Sequence, residues 1–247
     1  MTQDSHSAFR ARFDPQHVSQ AAFENDNDVI LFLHIPKTAG MSVGKALQHS
    51  FDQFHPVSWE NVGQSFRQKT RRALYQRTGT PCRQVLMGHF GWGDIQYWRN
   101  QDLPIQCATI VRDPLDRFVS NYNYNCSDVH PDKDGFKSRF PTMEDYARQL
   151  PYDYQLHTMI GAFFDFDHAL AQLTQYYSFI GVTEALGPSL AHFQTSHGLR
   201  TELHEHRENT GKTPPQDDIP DSVREIIASK SRNDLRLHQL VRGFYNA

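Results

Sequence analysis

Six consecutive residues, Lys37-Thr38-Ala39-Gly40-Met41-Ser42, set a cation, two hydroxyls and small side chains between Pro36 and a run able to form a helix. Small residues let successive backbone N–H groups converge, and a helix starting there adds the positive end of its dipole, so this spacing suits a phosphate. Lys37 brings a mobile point charge for an anionic oxygen that the amides leave exposed. The same residues would also serve an ordinary strand-to-helix turn. His89 sits at the end of a second apolar run, in Gly88-His89-Phe90-Gly91-Trp92-Gly93. Such a histidine can take up a proton near neutral pH. In a chain with 14 histidines it could equally be a packed or surface residue. Arg112 follows a third apolar run, and Ser120 stands about two helical turns further on. A guanidinium and a hydroxyl in that relation can hold a second phosphate. Asp113 and Arg117 are spaced to pair locally as i and i+4.

These residues need strands that end where they begin. Val29-Ile30-Leu31-Phe32-Leu33-His34 is an apolar, β-branched run that reads as a first core strand over 29–34, with a helix from about 41 to 50. Gln84-Val85-Leu86-Met87 reads as a short strand running into a glycine-rich loop, which puts His89 at a strand end, the usual place for catalytic groups in open α/β sheets. Cys107-Ala108-Thr109-Ile110-Val111 is a buried-strand pattern. Pro114 suits the first helical position after it, with Asp113 as the cap. Residues 54–64 read as irregular. Residues 127–141 read as a polar loop able to cover a site. Helices are expected at 142–149, 153–161 and 167–176, a strand at 177–182, a helix from Thr183 to about 196, and two closing helices near 220–229 and 231–244.

The flanking composition bounds the function. At 247 residues, with 38% hydrophobic and 21% charged residues, the chain can bury a sizeable α/β core. Residues 1–27 are polar and read as a loosely packed arm ahead of one domain over 28–247. A net charge of −3 argues against general nucleic-acid binding. The basic segment 66–77 reads as a solvated helix face, with a polyanion surface as the alternative. Cys82, Cys107 and Cys126 have neither disulfide-framework nor metal-ligand spacing. His204 and His206 offer two potential metal ligands with no further ones evident. Arg207, Thr210, Gly211 and Lys212 make a basic loop suited to covering an anion. No signal-peptide pattern and no apolar run of ~20 residues is present, so a soluble, cytoplasmic protein without a membrane span is expected.

Taken together, His34-Ile35-Pro36-Lys37-Thr38-Ala39-Gly40-Met41-Ser42, Gly88-His89-Phe90 and Val111-Arg112-Asp113-Pro114-Leu115-Asp116-Arg117-Phe118-Val119-Ser120 resemble the carbohydrate sulfotransferases, nearest the heparan sulfate 2-O-sulfotransferase branch and its bacterial relatives. Phe179-Ile180-Gly181-Val182-Thr183-Glu184 and Asp234-Leu235-Arg236-Leu237 resemble later segments of that family. The resemblance implies an α/β, P-loop-like three-layer domain with a central parallel sheet flanked by helices. It implies 3′-phosphoadenosine-5′-phosphosulfate (PAPS) as donor, released as 3′,5′-adenosine bisphosphate, with no metal required. By position, Lys37 and the backbone from Thr38 to Ser42 would hold the phosphosulfate, Arg112 and Ser120 the 3′-phosphate, and His89 would be the base. Residues 207–212 would close on the nucleotide. The acceptor would be a hydroxyl of a glycan or small molecule. Met87 stands where some relatives carry a second histidine. A P-loop nucleotide kinase is the first rival, although the lysine here precedes the glycine and no Gly-Lys-Ser/Thr end is present. A non-catalytic nucleotide- or glycan-binding protein on the same fold is the second.

Overall fold

The computed structural model describes residues 4–17, 29–57, 67–68, 70–71, 83–100, 105–199 and 219–245. Its centre is a five-stranded sheet, every pair parallel: β1 (Val29–Leu33), β2 (Gln53–Val57), β3 (Gln84–Gly88), β4 (Ile105–Val111) and β5 (Tyr177–Val182), in the order β2-β3-β1-β4-β5. Parallel strands require crossovers, and these put helices on both faces. The side chains of β1 divide accordingly. Val29, Leu31 and Leu33 enter one apolar cluster, while Ile30 and Phe32 enter another on the opposite face. All five are buried, which is why the strand reads as a continuous apolar run rather than an alternation.

On the second face lie α2 (Gly40–Ser50), through Val43, Ala46 and Leu47, and a later helix, α9 (Leu186–Ser196), through Leu190 and Phe193. The first face is covered by α1 (Ser5–Phe13), α3 (Trp92–Arg99), α7 (Tyr154–Ile160), α8 (Phe166–Tyr176) and α11 (Arg232–Gly243). Between them run α4 (Pro114–Asn125), α5 (Lys133–Arg139), α6 (Met143–Gln149) and α10 (Asp221–Lys230). Phe118, Val119, Ala147, Val223 and Ile227 make a third cluster there.

Four expectations change. Residues 5–13, expected within a loose arm, form α1. Phe9 and Phe13, four residues apart and therefore on one helix face, are fully buried against the first-face core, and α1 lies on α8 and β5. Residues 54–57, within the stretch 54–64 expected to be irregular, belong to the edge strand β2; Pro56 is tolerated because an edge strand leaves one row of backbone groups unpaired. The glycine-rich loop after β3 ends sooner than expected, at Gly91, where Asp94 accepts from the Gly91 amide and closes the start of α3. Within 127–141, residues 133–139 are helical as α5.

Candidate active site

The sheet register explains how distant segments meet. Leu33, the last residue of β1, pairs with Gly88 of β3 on one side and Thr109 of β4 on the other. The chain leaves β1 toward β2 and β3, then crosses back to β4, so the direction of winding reverses at β1. Ligands in open α/β sheets bind at such a reversal, outside the carboxyl ends of the strands. The loop after β1, His89 directly after β3 and Arg112 directly after β4 are brought to that edge side by side.

The loop 34–39 is held by its own bonds. His34 N–H donates to the Gly88 carbonyl at 2.9 Å, prolonging the β1–β3 ladder by one residue. Thr38 donates to the Ile35 carbonyl with both its N–H, at 3.3 Å, and its hydroxyl, at 2.8 Å. The expectation for Thr38 changes with this: it fixes the curl of the loop instead of turning its donors outward. Lys37 and Ala39 adopt left-handed backbone, with φ of 72° and 61°. For residues with a Cβ this costs on the order of 1–3 kcal/mol each and is kept where surrounding structure enforces it, often at functional sites. Left-handed turns leading into a helix are also how successive amides are pointed at one spot. The first bond of α2 runs from Val43 N–H to the Ala39 carbonyl. The amides of Gly40, Met41 and Ser42 therefore have no acceptor within the helix.

Gly40 must be glycine for another reason: a Cβ there would lie 1.8 Å from His34 Nε2. The His34 ring thus rests on the start of α2, and the His89 ring lies beside it, tilted by 32° with ring centres 4.4 Å apart. His89 Nδ1 lies 2.9 Å from the His34 carbonyl. A carbonyl only accepts, so Nδ1 carries the hydrogen and the lone pair of the neutral ring is on Nε2. Burial lowers the His89 pKa below its ordinary value, with the His34 carbonyl pulling the other way. Burial, His89 and Lys37 together lower that of His34 to about 3. Both rings are neutral at pH 7.

Two cations converge beside them. Arg112 Nη1 donates to the Lys37 carbonyl at 3.1 Å, tying the turn after β4 to the loop after β1. The Lys37 ammonium lies 4.3 Å from the centre of the Tyr124 ring on α4. Burial, and then Arg112, lower its pKa. Ser120 lies on α4, partly exposed. Asp113 caps α4 as expected, accepting from Leu115 N–H at 2.9 Å and Asp116 N–H at 3.1 Å. It does not pair with Arg117, whose buried guanidinium stacks on Tyr154 at 4.2 Å. A neutral imidazole base, two cations and a run of unpaired amides at one sheet edge can bind a doubly anionic ligand and take a proton from a hydroxyl beside it.

Several contributors had no local signal. His34 read as the end of a strand. Tyr124 was one aromatic among many. Gln155 and Glu184, which reach the Arg112 turn from elsewhere, lie 43 and 71 residues along the chain from the groups they hold. Arg207, Thr210, Gly211 and Lys212, like His204, His206 and Cys82, lie outside the described residues. Of the basic segment, Arg67 stacks on Tyr97 at 4.4 Å and pairs with Asp94 at 3.3 Å, so that charge is matched within the fold. Cys107 is buried, with its thiol pushed up to about 12.

A family model described as "Sulfotransferase family" matches residues 20–238. The chain belongs to the sulfotransferase family. Among solved structures, this sulfotransferase is similar to that of mouse sulfotransferase SULT7A1 complexed with PAP, at 13% identity and a TM-score of 0.46, over 98% of this chain and 94% of the other. No curated protein matches it. Among the described residues of the sulfotransferase, no helix is long and apolar enough to cross a membrane.

Proposed function

We propose that the enzyme transfers the sulfuryl group of PAPS to a hydroxyl of a carbohydrate acceptor. The observation that carries this reading is the bond from Arg112 to the Lys37 carbonyl, beside the His89 ring. It joins two cationic sites, as a nucleotide with phosphates at both ends of its ribose demands. Lys37 and the amides from Ala39 to Ser42 take the phosphosulfate, and Arg112 with Ser120 takes the 3′-phosphate. Arg207, Thr210, Gly211 and Lys212 close over the nucleotide.

In the reaction the acceptor oxygen forms a bond to sulfur as the bond from sulfur to the bridging phosphate oxygen breaks. The acceptor proton passes to His89 Nε2. Charge left on the bridging oxygen is stabilised by Lys37 and the loop amides, and 3′,5′-adenosine bisphosphate departs. The carbohydrate class rests on the likeness of the three site segments to carbohydrate sulfotransferases. The test is transfer of labelled sulfate from PAPS across a panel of hydroxyl acceptors. Labelled glycans are the expected product. Absence of transfer to every acceptor, or turnover of ATP with magnesium in its place, would refute the proposal.

A further inference from the structure

Arg112 stands where the chain is neither strand nor helix: β4 ends at Val111 and α4 begins at Pro114. Backbone groups in such a turn have no ladder to satisfy them, and when sheltered from water they need side-chain partners. Residue 112 finds both in one side chain. Gln155 Oε1 accepts from Arg112 N–H at 3.0 Å, and Gln155 Nε2 donates to the Arg112 carbonyl at 2.8 Å. Gln155 is itself only 1% exposed. Its own N–H donates to Asp234 at 2.9 Å, which holds it against α11. The neighbouring residues are held too: Thr183 donates to the Val111 carbonyl at 3.2 Å, and Asp113 N–H donates to Glu184 at 2.8 Å. The far end of Arg112 is tied by its bond to the Lys37 carbonyl.

We propose that Gln155 is a positioning residue for donor recognition: by gripping both backbone groups of residue 112 it aims the guanidinium at the 3′-phosphate and sets the preference for 3′-phosphorylated nucleotides. The inference rests on the donor reading above and extends it to a residue that does not touch the nucleotide. A side chain that merely fills space would affect all nucleotides alike. One that aims Arg112 affects only those carrying the group Arg112 binds.

The experiment is calorimetric binding of 3′,5′-adenosine bisphosphate and of adenosine 5′-monophosphate to the wild type, Gln155→Met, Arg112→Ala and the double variant. Methionine keeps length and loses both hydrogen bonds. Gln155→Met is expected to weaken the bisphosphate about tenfold or more and the monophosphate less than threefold. In the Arg112→Ala background it should remove no further preference. Equal weakening of both nucleotides, or an unchanged preference, would overturn the role of Gln155 while leaving the donor assignment standing. A wild type that binds the two nucleotides equally would overturn the donor reading and this proposal with it. If Gln155→Met does not fold, Gln155→Asn, polar but too short to bridge both groups, carries the same expectations.

Discussion

His34 and His89 lie ring beside ring but do not share a task. With its pKa near 3, His34 stays uncharged through any working pH, and its carbonyl fixes the tautomer of its neighbour. Only His89 can change charge in the useful range. Replacing it with alanine should lower turnover by about 100- to 10,000-fold, with the affinity for 3′,5′-adenosine bisphosphate unchanged by calorimetry. Because burial lowers the His89 pKa and the base must be unprotonated, activity should hold as pH falls through about 6.5, the ordinary histidine value. It should then drop at more acidic pH; an acid limb centred above that value would point to a different base. Gly40→Ala would drive a methyl group into the His34 ring and so displace both imidazoles. A shift of that size should cost about 100-fold in turnover. The place of His89 directly after a strand was legible in the sequence because a strand end beside glycines is a local pattern. His34 was not, since its role depends on the carbonyl and the ring touching groups 55 and 6 residues away.

Helices α7 and α11 cap one another in trans. Asp234 of α11 accepts from Gln155 and Leu156 N–H at the start of α7, at 2.9 and 2.8 Å. Asp153, just before α7, accepts from Asn233 and Asp234 N–H at the start of α11, at 2.7 and 3.1 Å. Each carboxylate thus satisfies two amides that its partner helix cannot. Asp234→Ala leaves two buried donors unpaired, at about 1–3 kcal/mol each. Urea unfolding should register a loss of roughly 2–6 kcal/mol, a substantial part of the margin of about 5–15 kcal/mol of a typical domain. The Asp113 cap of α4 could be read from sequence because donor and acceptor lie two and three residues apart. The crossed caps bridge about eighty residues and leave no local trace. Strand β2 escaped notice for the opposite reason: Pro56 argues against a strand everywhere except at an edge, and edge position is a property of the whole sheet.

Across the molecule, the buried strands and the helices packed on them were legible as apolar runs and periodic faces, because burial on both faces of a parallel sheet leaves a compositional mark. The ligand should bridge the ends of β1 and β4, and so stabilise the pairing at the centre of the sheet. At a concentration 100-fold above its dissociation constant, 3′,5′-adenosine bisphosphate should add about 2.7 kcal/mol. That should raise the midpoint of thermal unfolding by about 5–10 °C for a chain of this size. The first helix has a practical bearing on anyone preparing the protein. The family match begins at residue 20, an inviting place to trim a gene, yet Phe9 and Phe13 lie ahead of it. Loss of a buried phenylalanine side chain costs about 3–5 kcal/mol, and cutting at that boundary discards two while uncovering the greasy flank of α8. The shortened product should therefore emerge as inclusion bodies, and recombinant versions should retain α1.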